Sequence, residues 1–255
     1  MSATAPLDLP APPPVQPHWA LFLDVDGCLL DFADDPDDVH VPDGLGDALS
    51  RLSSALDGAL ALVSGRRIAQ LDRLFPALRA PAAGLHGLEL REAIEHAPAL
   101  DPPPDLQRAR EAAEQIASAH PGARVEDKGI ALALHWRAAP AAASPLQAIA
   151  AAALTNLPGY RLQHGNCVVE LRPAHADKGD AVHRLMRVAP FDGRTPVFAG
   201  DDLTDEDGFA AANRLGGLSV RVGDRVPSLA THTLADTSAL RQWIADGAMR
   251  LGTIA

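Results

Sequence analysis

The sequence predicts an α/β fold: a parallel sheet with helices on both faces, interrupted by an inserted α+β unit. Three observations carry this. Short apolar runs alternate with helically spaced apolar residues at both ends of the chain, the pattern of successive βαβ units. Three of those runs stop at polar clusters: Asp24-Val25-Asp26-Gly27, Ser64-Gly65-Arg66 and Gly200-Asp201-Asp202. Between the two ends, beyond Pro98, Pro102, Pro103 and Pro104, the order changes to helix, hairpin, helix, hairpin.

Residues 1–17 include Pro10, Pro12, Pro13, Pro14 and Pro17. Proline has no amide to give a helix or ladder, so this stretch is expected to be a disordered tail. Trp19–Leu23 is a wholly apolar run ending at Asp24 and reads as a buried strand. Leu45, Ala48, Leu49, Leu52 and Leu56 fall at helical spacing within 43–57. Ala59–Val63 is a second buried strand, Ile68–Phe75 a helix, and Pro81–Leu85 a third strand. In the middle, 105–119 reads as a helix, Arg124–Asp127 and Ile130–Trp136 as strands joined at Gly129, and 145–155 as an alanine-rich helix. Tyr160–Gln163 and Cys167–Leu171 form a second hairpin around His164-Gly165-Asn166. Ala181, Val182, Leu185 and Met186 then mark a helix, Pro196–Ala199 a strand, 205–213 a helix, Leu218–Val222 a strand, and Thr237–Met249 a closing helix. The sheet domain is thus assembled from 18–97 and 174–255, with 98–173 inserted.

Hydrophobic residues make up 47% and charged residues 22% of the chain, as in a globular protein with a real core. The net charge of -11 argues against a sequence-independent grip on nucleic acid, which needs a basic stripe. Two cysteines, Cys28 and Cys167, make no disulfide framework and suit a reducing compartment. No apolar run approaches the roughly 20 residues of a membrane helix, and no signal peptide is evident. The expectation is a cytoplasmic monomer whose partner is a small molecule. Of 22 basic residues only Lys128 and Lys178 are lysines. Lysine supplies a compact point charge where arginine supplies a planar fork, so each surviving lysine marks a candidate site.

Ligands of open α/β sheets bind beyond the carboxyl ends of the strands, which places the three polar clusters at one crevice. Carboxylates held together there raise one another's pKa unless a cation intervenes, and hard oxygen ligands suit Mg²⁺. Asp24 is the candidate nucleophile toward phosphorus, and Asp26 the proton shuttle to the leaving oxygen and then from water. A turn at Gly27 would let the Asp26 main-chain carbonyl face the metal. Ser64 and Lys178 can hold phosphoryl oxygens through a hydroxyl and a compact charge.

These residues resemble the four motifs of the haloacid dehalogenase (HAD) superfamily of phosphotransferases: Asp24-Val25-Asp26-Gly27, Ser64, Lys178 and Gly200-Asp201-Asp202. The likeness extends through Gly84-Leu85-His86-Gly87-Leu88-Glu89, Val125-Glu126-Asp127-Lys128-Gly129, His135-Trp136-Arg137, Glu170-Leu171-Arg172-Pro173, Asp177-Lys178-Gly179 and Leu203-Thr204-Asp205-Glu206. Over nearly all of 19–250 it is similar to the trehalose-6-phosphate phosphatases. The resemblance implies a Rossmann-like core with an α+β cap that closes over the sugar. It implies an aspartyl-phosphate on Asp24 with Asp26 as acid and base. It implies Mg²⁺ on the Asp24 side chain, the Asp26 carbonyl and Asp201, with Asp202 or Asp205 nearby, directly or through water. Ser64 and Lys178, assisted by Arg66, would bind the phosphoryl group, and Glu126, Lys128 and Glu170 the distal glucose hydroxyls. His86 is a further candidate for substrate contact, whereas Arg172 and His135 read as structural. The implied reaction converts trehalose 6-phosphate to trehalose and phosphate. A phosphatase for another sugar phosphate, such as sucrose phosphate, and a catalytically silent sugar-phosphate sensor are the rival readings. The chain departs from the family pattern at Cys28, where threonine is usual, so a weak thiol donor replaces a hydroxyl. Cys28 is not itself a nucleophile candidate, because no Cys-x5-Arg loop follows it.

Overall fold

A computed structural model describes residues 9–32, 39–92, 102–174 and 177–253. The chain divides into two compact units, Met1–Ala97 with Asp177–Ala255 and Pro98–Ala176.

The larger unit is built on a seven-stranded sheet. Its elements in order are β1 (Trp19–Leu23), α1 (Leu45–Ala55), β2 (Leu60–Val63), α2 (Ile68–Leu74), β3 (Ala82–Gly84) and β4 (Glu89–Arg91). After the second unit come α5 (Lys178–Leu185), β9 (Thr195–Gly200), α6 (Asp205–Arg214), β10 (Leu218–Val222), β11 (His232–Leu234) and α7 (Thr237–Gly252). The strand order is β11-β10-β9-β1-β2-β3-β4, parallel except for the β3–β4 pair. Every residue of β1 and β2 is buried, which is why these strands are continuous apolar runs and not alternating ones. From β1 the chain steps one way to β2 and later the other way from β9 to β10. Right-handed crossovers in opposite directions put α1 and α6 on opposite faces. Accordingly α1 packs with α7, and α5 with α6. Asp177 and Asp236 cap α5 and α7, accepting from the Asp180 and Ala239 amides at 2.8 Å each.

The smaller unit holds α3 (Pro104–Ala119), β5 (Arg124–Asp127), β6 (Leu132–His135), α4 (Ala143–Leu154), β7 (Tyr160–Gly165) and β8 (Val168–Pro173). Its antiparallel sheet has the order β5-β6-β8-β7. Strand alternation gives it two unlike faces. Leu132, Leu134, Val169 and Leu171 join the core formed with Leu106, Ala113 and Leu146 of the two helices. The register Glu126↔Ala133↔Glu170↔Gln163 runs a polar row across the opposite face.

Two expectations need revision, and two short edge strands were not anticipated. Residues 1–8 lie outside the described residues, but Leu9–Pro17 is ordered against the larger unit and is not a free tail. Val15 is fully buried beside Leu52 and Gly247, the Pro10 carbonyl accepts from the Thr233 amide at 3.0 Å, and the Pro13 carbonyl accepts from Trp243 Nε1 at 2.9 Å. Proline thus serves here as an acceptor-only strap. The third strand stops at Gly84, because Leu85 and His86 both take left-handed backbone (φ 51° and 56°). The edge strands β4 and β11, three residues each, carry too little apolar patterning to be read in advance. Among the described residues no helix is long and apolar enough to cross a membrane.

Candidate active site

The strand order turns at β1, so the ends of β1, β2 and β9 adjoin one crevice. Asp24 leaves β1 with its amide bonded to the Ala199 carbonyl of β9 at 2.9 Å. The chain then folds tightly: the Leu29 and Leu30 amides both donate to Val25 O, and Gly27 N donates to Leu30 O at 2.7 Å. Gly27 sits at φ +80°, and a Cβ there would strike Asp201 Oδ2, so both backbone and space require glycine.

Lys178, the first residue of α5, holds its ammonium 2.9 Å from Asp24 Oδ1 and 2.6 Å from Asp205 Oδ1. The other Asp205 oxygen accepts the Asp201 and Asp202 amides at 2.9 and 3.0 Å. Asp24, Lys178 and Asp205 are 4%, 2% and 0% exposed. Asp24, Asp201 and Asp205 each bring a carboxylate oxygen to within 4.8 Å of the others. Burial, and then the charge of Asp205, pushes the Asp24 carboxyl well above the usual carboxylate range. Burial and the charges of Asp205 and Asp202 lift Asp201 to about 7. Burial lifts Asp205 to about 6 in spite of Lys178. Burial disfavours the Lys178 ammonium, but Asp205 and Asp24 outweigh it and hold the pKa up. Asp24, Asp201 and Asp205 share one buried ammonium, so the cluster is short of positive charge. Among the described residues, Asp201 Oδ1 is buried with no hydrogen-bond partner. Three hard oxygen donors, one of them unpartnered, fit a divalent cation such as Mg²⁺.

The remaining acids separate into one that joins the cluster and two that do not. Asp205, anticipated near the metal, is inside the cluster. Asp202 turns away: its Oδ1 accepts from the Thr204 amide at 2.8 Å, the Thr204 hydroxyl at 2.7 Å and the Asp205 amide at 3.2 Å. Burial opposes ionisation of Asp202, yet Lys178 and the Thr204 bonds hold its carboxyl below the ordinary value. It therefore starts α6. The Asp26 side chain is also outside the cluster, gripped by Arg66, which had been expected on the phosphoryl group.

Ser64 is fully buried, and its Oγ accepts the Arg66 amide at 3.1 Å. The loop after β2 is clamped by 84–89. Leu85 N donates to Arg66 O and His86 N to Ser64 O, each at 2.9 Å. The His86 ring lies against Gly65, where a Cβ would come 2.7 Å from Nε2. Glu89 accepts from the Ile68 amide at 2.7 Å and from Arg67 Nε at 3.2 Å, covering the start of α2. Cys28 is fully buried, out of reach of an oxidant in solution. Burial and the Asp24 charge push its thiol up, away from the reactive thiolate.

In the smaller unit, Glu126, Lys128 and Glu170 do come together on the polar face. Lys128 Nζ lies 3.4 Å from Glu170 Oε2. Glu126 Oε2 meets His135 Nε2 at 3.0 Å. Burial alone would raise the Glu126 carboxyl, but His135 and Lys128 bring it below its ordinary value. His135, read from sequence as structural, thus supports a candidate binding residue. Arg172 is buried and donates to Gln163 Oε1 at 3.1 Å.

Two contributors were not singled out beforehand. Glu206 pairs with Arg225 and accepts the Leu229 amide at 2.7 Å, bolting the 223–229 loop to the start of α6. Arg225 Nε in turn donates to the Asp201 carbonyl at 3.2 Å. Glu206 belonged to a quoted motif, but its arginine lies 19 residues away and carries no sequence signal.

Residues 22–238 match the model of the trehalose-phosphatase family. A probable trehalose-phosphate phosphatase from Sinorhizobium fredii is 44% identical over 230 residues, 89% of this chain and 87% of that one. The trehalose-6-phosphate phosphatase of Escherichia coli K12 is 44% identical over 214 residues, 83% of this chain and 80% of that one. Among solved structures, the C-terminal domain of C. albicans trehalose-6-phosphate phosphatase shares the fold at 21% identity, with TM-score 0.76 over 94% of this chain and 98% of that one.

Proposed function

The chain belongs to the trehalose-phosphatase family, and from that premise we propose that it hydrolyses trehalose 6-phosphate by way of a phosphate carried on Asp24. It is a phosphoric monoester hydrolase, and its substrate is a sugar phosphate.

In the first half-reaction an Asp24 oxygen attacks phosphorus and the bond from phosphorus to the sugar oxygen breaks. Asp26 gives that oxygen its proton, releasing trehalose. In the second, Asp26 takes a proton from water as the water oxygen attacks phosphorus, returning the Asp24 carboxylate and inorganic phosphate. Lys178, through its charge, and Ser64, through its hydroxyl donor, stabilise the charge gathering on the phosphoryl oxygens. Lys178 also keeps Asp24 directed, and Asp205 keeps Lys178 directed. Asp24, the Asp26 carbonyl, Asp201 and Asp205 would hold Mg²⁺, which supplies Lewis-acid charge stabilisation when bound. Glu126, Lys128 and Glu170 would recognise sugar hydroxyls, the carboxylates accepting and the ammonium donating.

The observation that carries this reading is the Lys178 ammonium set between Asp24 and Asp205, with Asp201 at the same pocket. Phosphate release from trehalose 6-phosphate, with and without Mg²⁺, tests it. The expected result is Mg²⁺-dependent turnover that far exceeds turnover of glucose 6-phosphate or sucrose phosphate. Equal rates on all three would remove the assigned specificity, and no release from any would favour a silent sensor.

A further inference from the structure

We propose that Arg66 is a positioning residue that acts through Asp26, aiming the carboxylate that moves the proton. Arg66 Nε lies 3.0 Å from Asp26 Oδ1 and 2.8 Å from Oδ2, and Nη2 lies 2.7 Å from Oδ1. Both oxygens are therefore fixed by one planar fork, a geometry that a lysine ammonium cannot reproduce. The side chain of Arg66 is only 9% exposed, against 32% for Asp26. The buried partner is the anchor and the more exposed one is the group it directs.

The anchor is itself held along the backbone. Its amide is tied to Ser64 Oγ and its carbonyl to Leu85 N. Glu89 fixes the next two residues through Arg67 Nε and the Ile68 amide. Asp26 is held differently: its backbone sits in the tight turn closed by Gly27 and Leu30, and among the described residues only Arg66 bonds its carboxylate. It stands one residue before Gly27, on a loop beyond the end of β1, and Lys178 is committed to Asp24 and Asp205. Without the fork, the Asp26 side chain would sample rotamers that miss the ester oxygen, and misplacement of a reacting group by about 1 Å can cost on the order of 100-fold in rate. What the fork governs is direction. This inference rests on the reading of Asp26 as the proton shuttle.

The test compares two substrates in Arg66→Lys and Arg66→Gln, with thermal melting to verify folding. With trehalose 6-phosphate, whose sugar alkoxide needs a proton to leave, kcat should fall about tenfold or more at nearly constant KM. With 4-nitrophenyl phosphate, whose leaving group needs none, the pre-steady-state burst of nitrophenolate should stay within about twofold of the parent. A burst slowed as much as the trehalose 6-phosphate turnover, or a KM raised for both substrates, would assign Arg66 to the phosphoryl group and overturn the proposal. Asp26→Asn separates this from the underlying reading. A large loss in Asp26→Asn with none in either Arg66 variant overturns the Arg66 role alone. Near-parental turnover of trehalose 6-phosphate in Asp26→Asn removes both.

Discussion

Replacing Lys178 by Met should destabilise the metal-free protein, and the loss should depend on pH in a defined direction. The ammonium is 2% exposed and lies 2.9 Å from Asp24 and 2.6 Å from Asp205. Methionine keeps most of the volume but leaves Asp24, Asp201 and Asp205 without their shared counter-charge. Deleting one partner of a buried pair costs about 3–5 kcal/mol. At roughly 2–4 °C per kcal/mol for a chain of this size, the melting temperature should drop by about 6–20 °C. The ammonium lowers the pKa of Asp24, Asp201 and Asp205, so that share of its stabilisation exists above their pKa values and disappears as pH falls through them. With Asp201 at about 7 and Asp205 at about 6, the deficit should be largest near pH 8 and shrink toward pH 5. Its own raised pKa keeps the ammonium charged across that window. Differential scanning calorimetry in EDTA at both pH values would measure this. A Lys178→Met protein that melts with the parent at pH 8, or whose deficit grows toward acid, would refute the electrostatic account.

Other outcomes follow from the same geometry. Asp24→Asn should abolish phosphate release while leaving the far-ultraviolet circular dichroism spectrum unchanged; substantial residual turnover would contradict the covalent route. Mg²⁺ binding should expel protons near pH 6, because Asp201 and Asp205 ionise at about 7 and about 6, and should expel fewer near pH 8.5. Isothermal titration in two buffers of different ionisation heat reads that number, and proton uptake would be the wrong sign. Glu206→Ala removes one acceptor from Arg225 and the acceptor of the Leu229 amide; both groups can reach water, so the loss should be about 0.5–1.5 kcal/mol per hydrogen bond. It should also weaken Mg²⁺ binding through Asp201, whose carbonyl Arg225 supports. Unchanged stability and affinity would make the bolt inert.

The buried strands were legible because burial on both faces erases alternation, and Trp19–Leu23 can hardly be anything else. Asp24 and Asp201 were legible because parallel topology sends strand ends to one edge, a consequence of connectivity that needs no side-chain detail, and Lys178, at the start of α5, because it is one of only two lysines. What escaped depended on loop geometry. Nothing in the order Asp201-Asp202-Leu203-Thr204-Asp205 says that Asp205 turns inward while Asp202 turns to Thr204. The Arg66–Asp26 fork spans 40 residues and appears only once β1 and β2 are paired. The proline-rich start misled for a related reason: lack of donors forbids a ladder, but carbonyls remain to be used, and Thr233 and Trp243 use them.

With only two side-chain amines in 255 residues, the chain carries a sparse set of acylation sites. Lys128 lies on the sheet face of the smaller unit at 13% side-chain exposure, whereas Lys178 is sealed at 2% and held protonated by its neighbours. An amine-directed reagent needs the unprotonated base and room to approach, so Lys178 should resist labelling until its pocket opens. Mass-spectrometric labelling of that single amine would time the opening of the carboxylate cluster without any introduced probe.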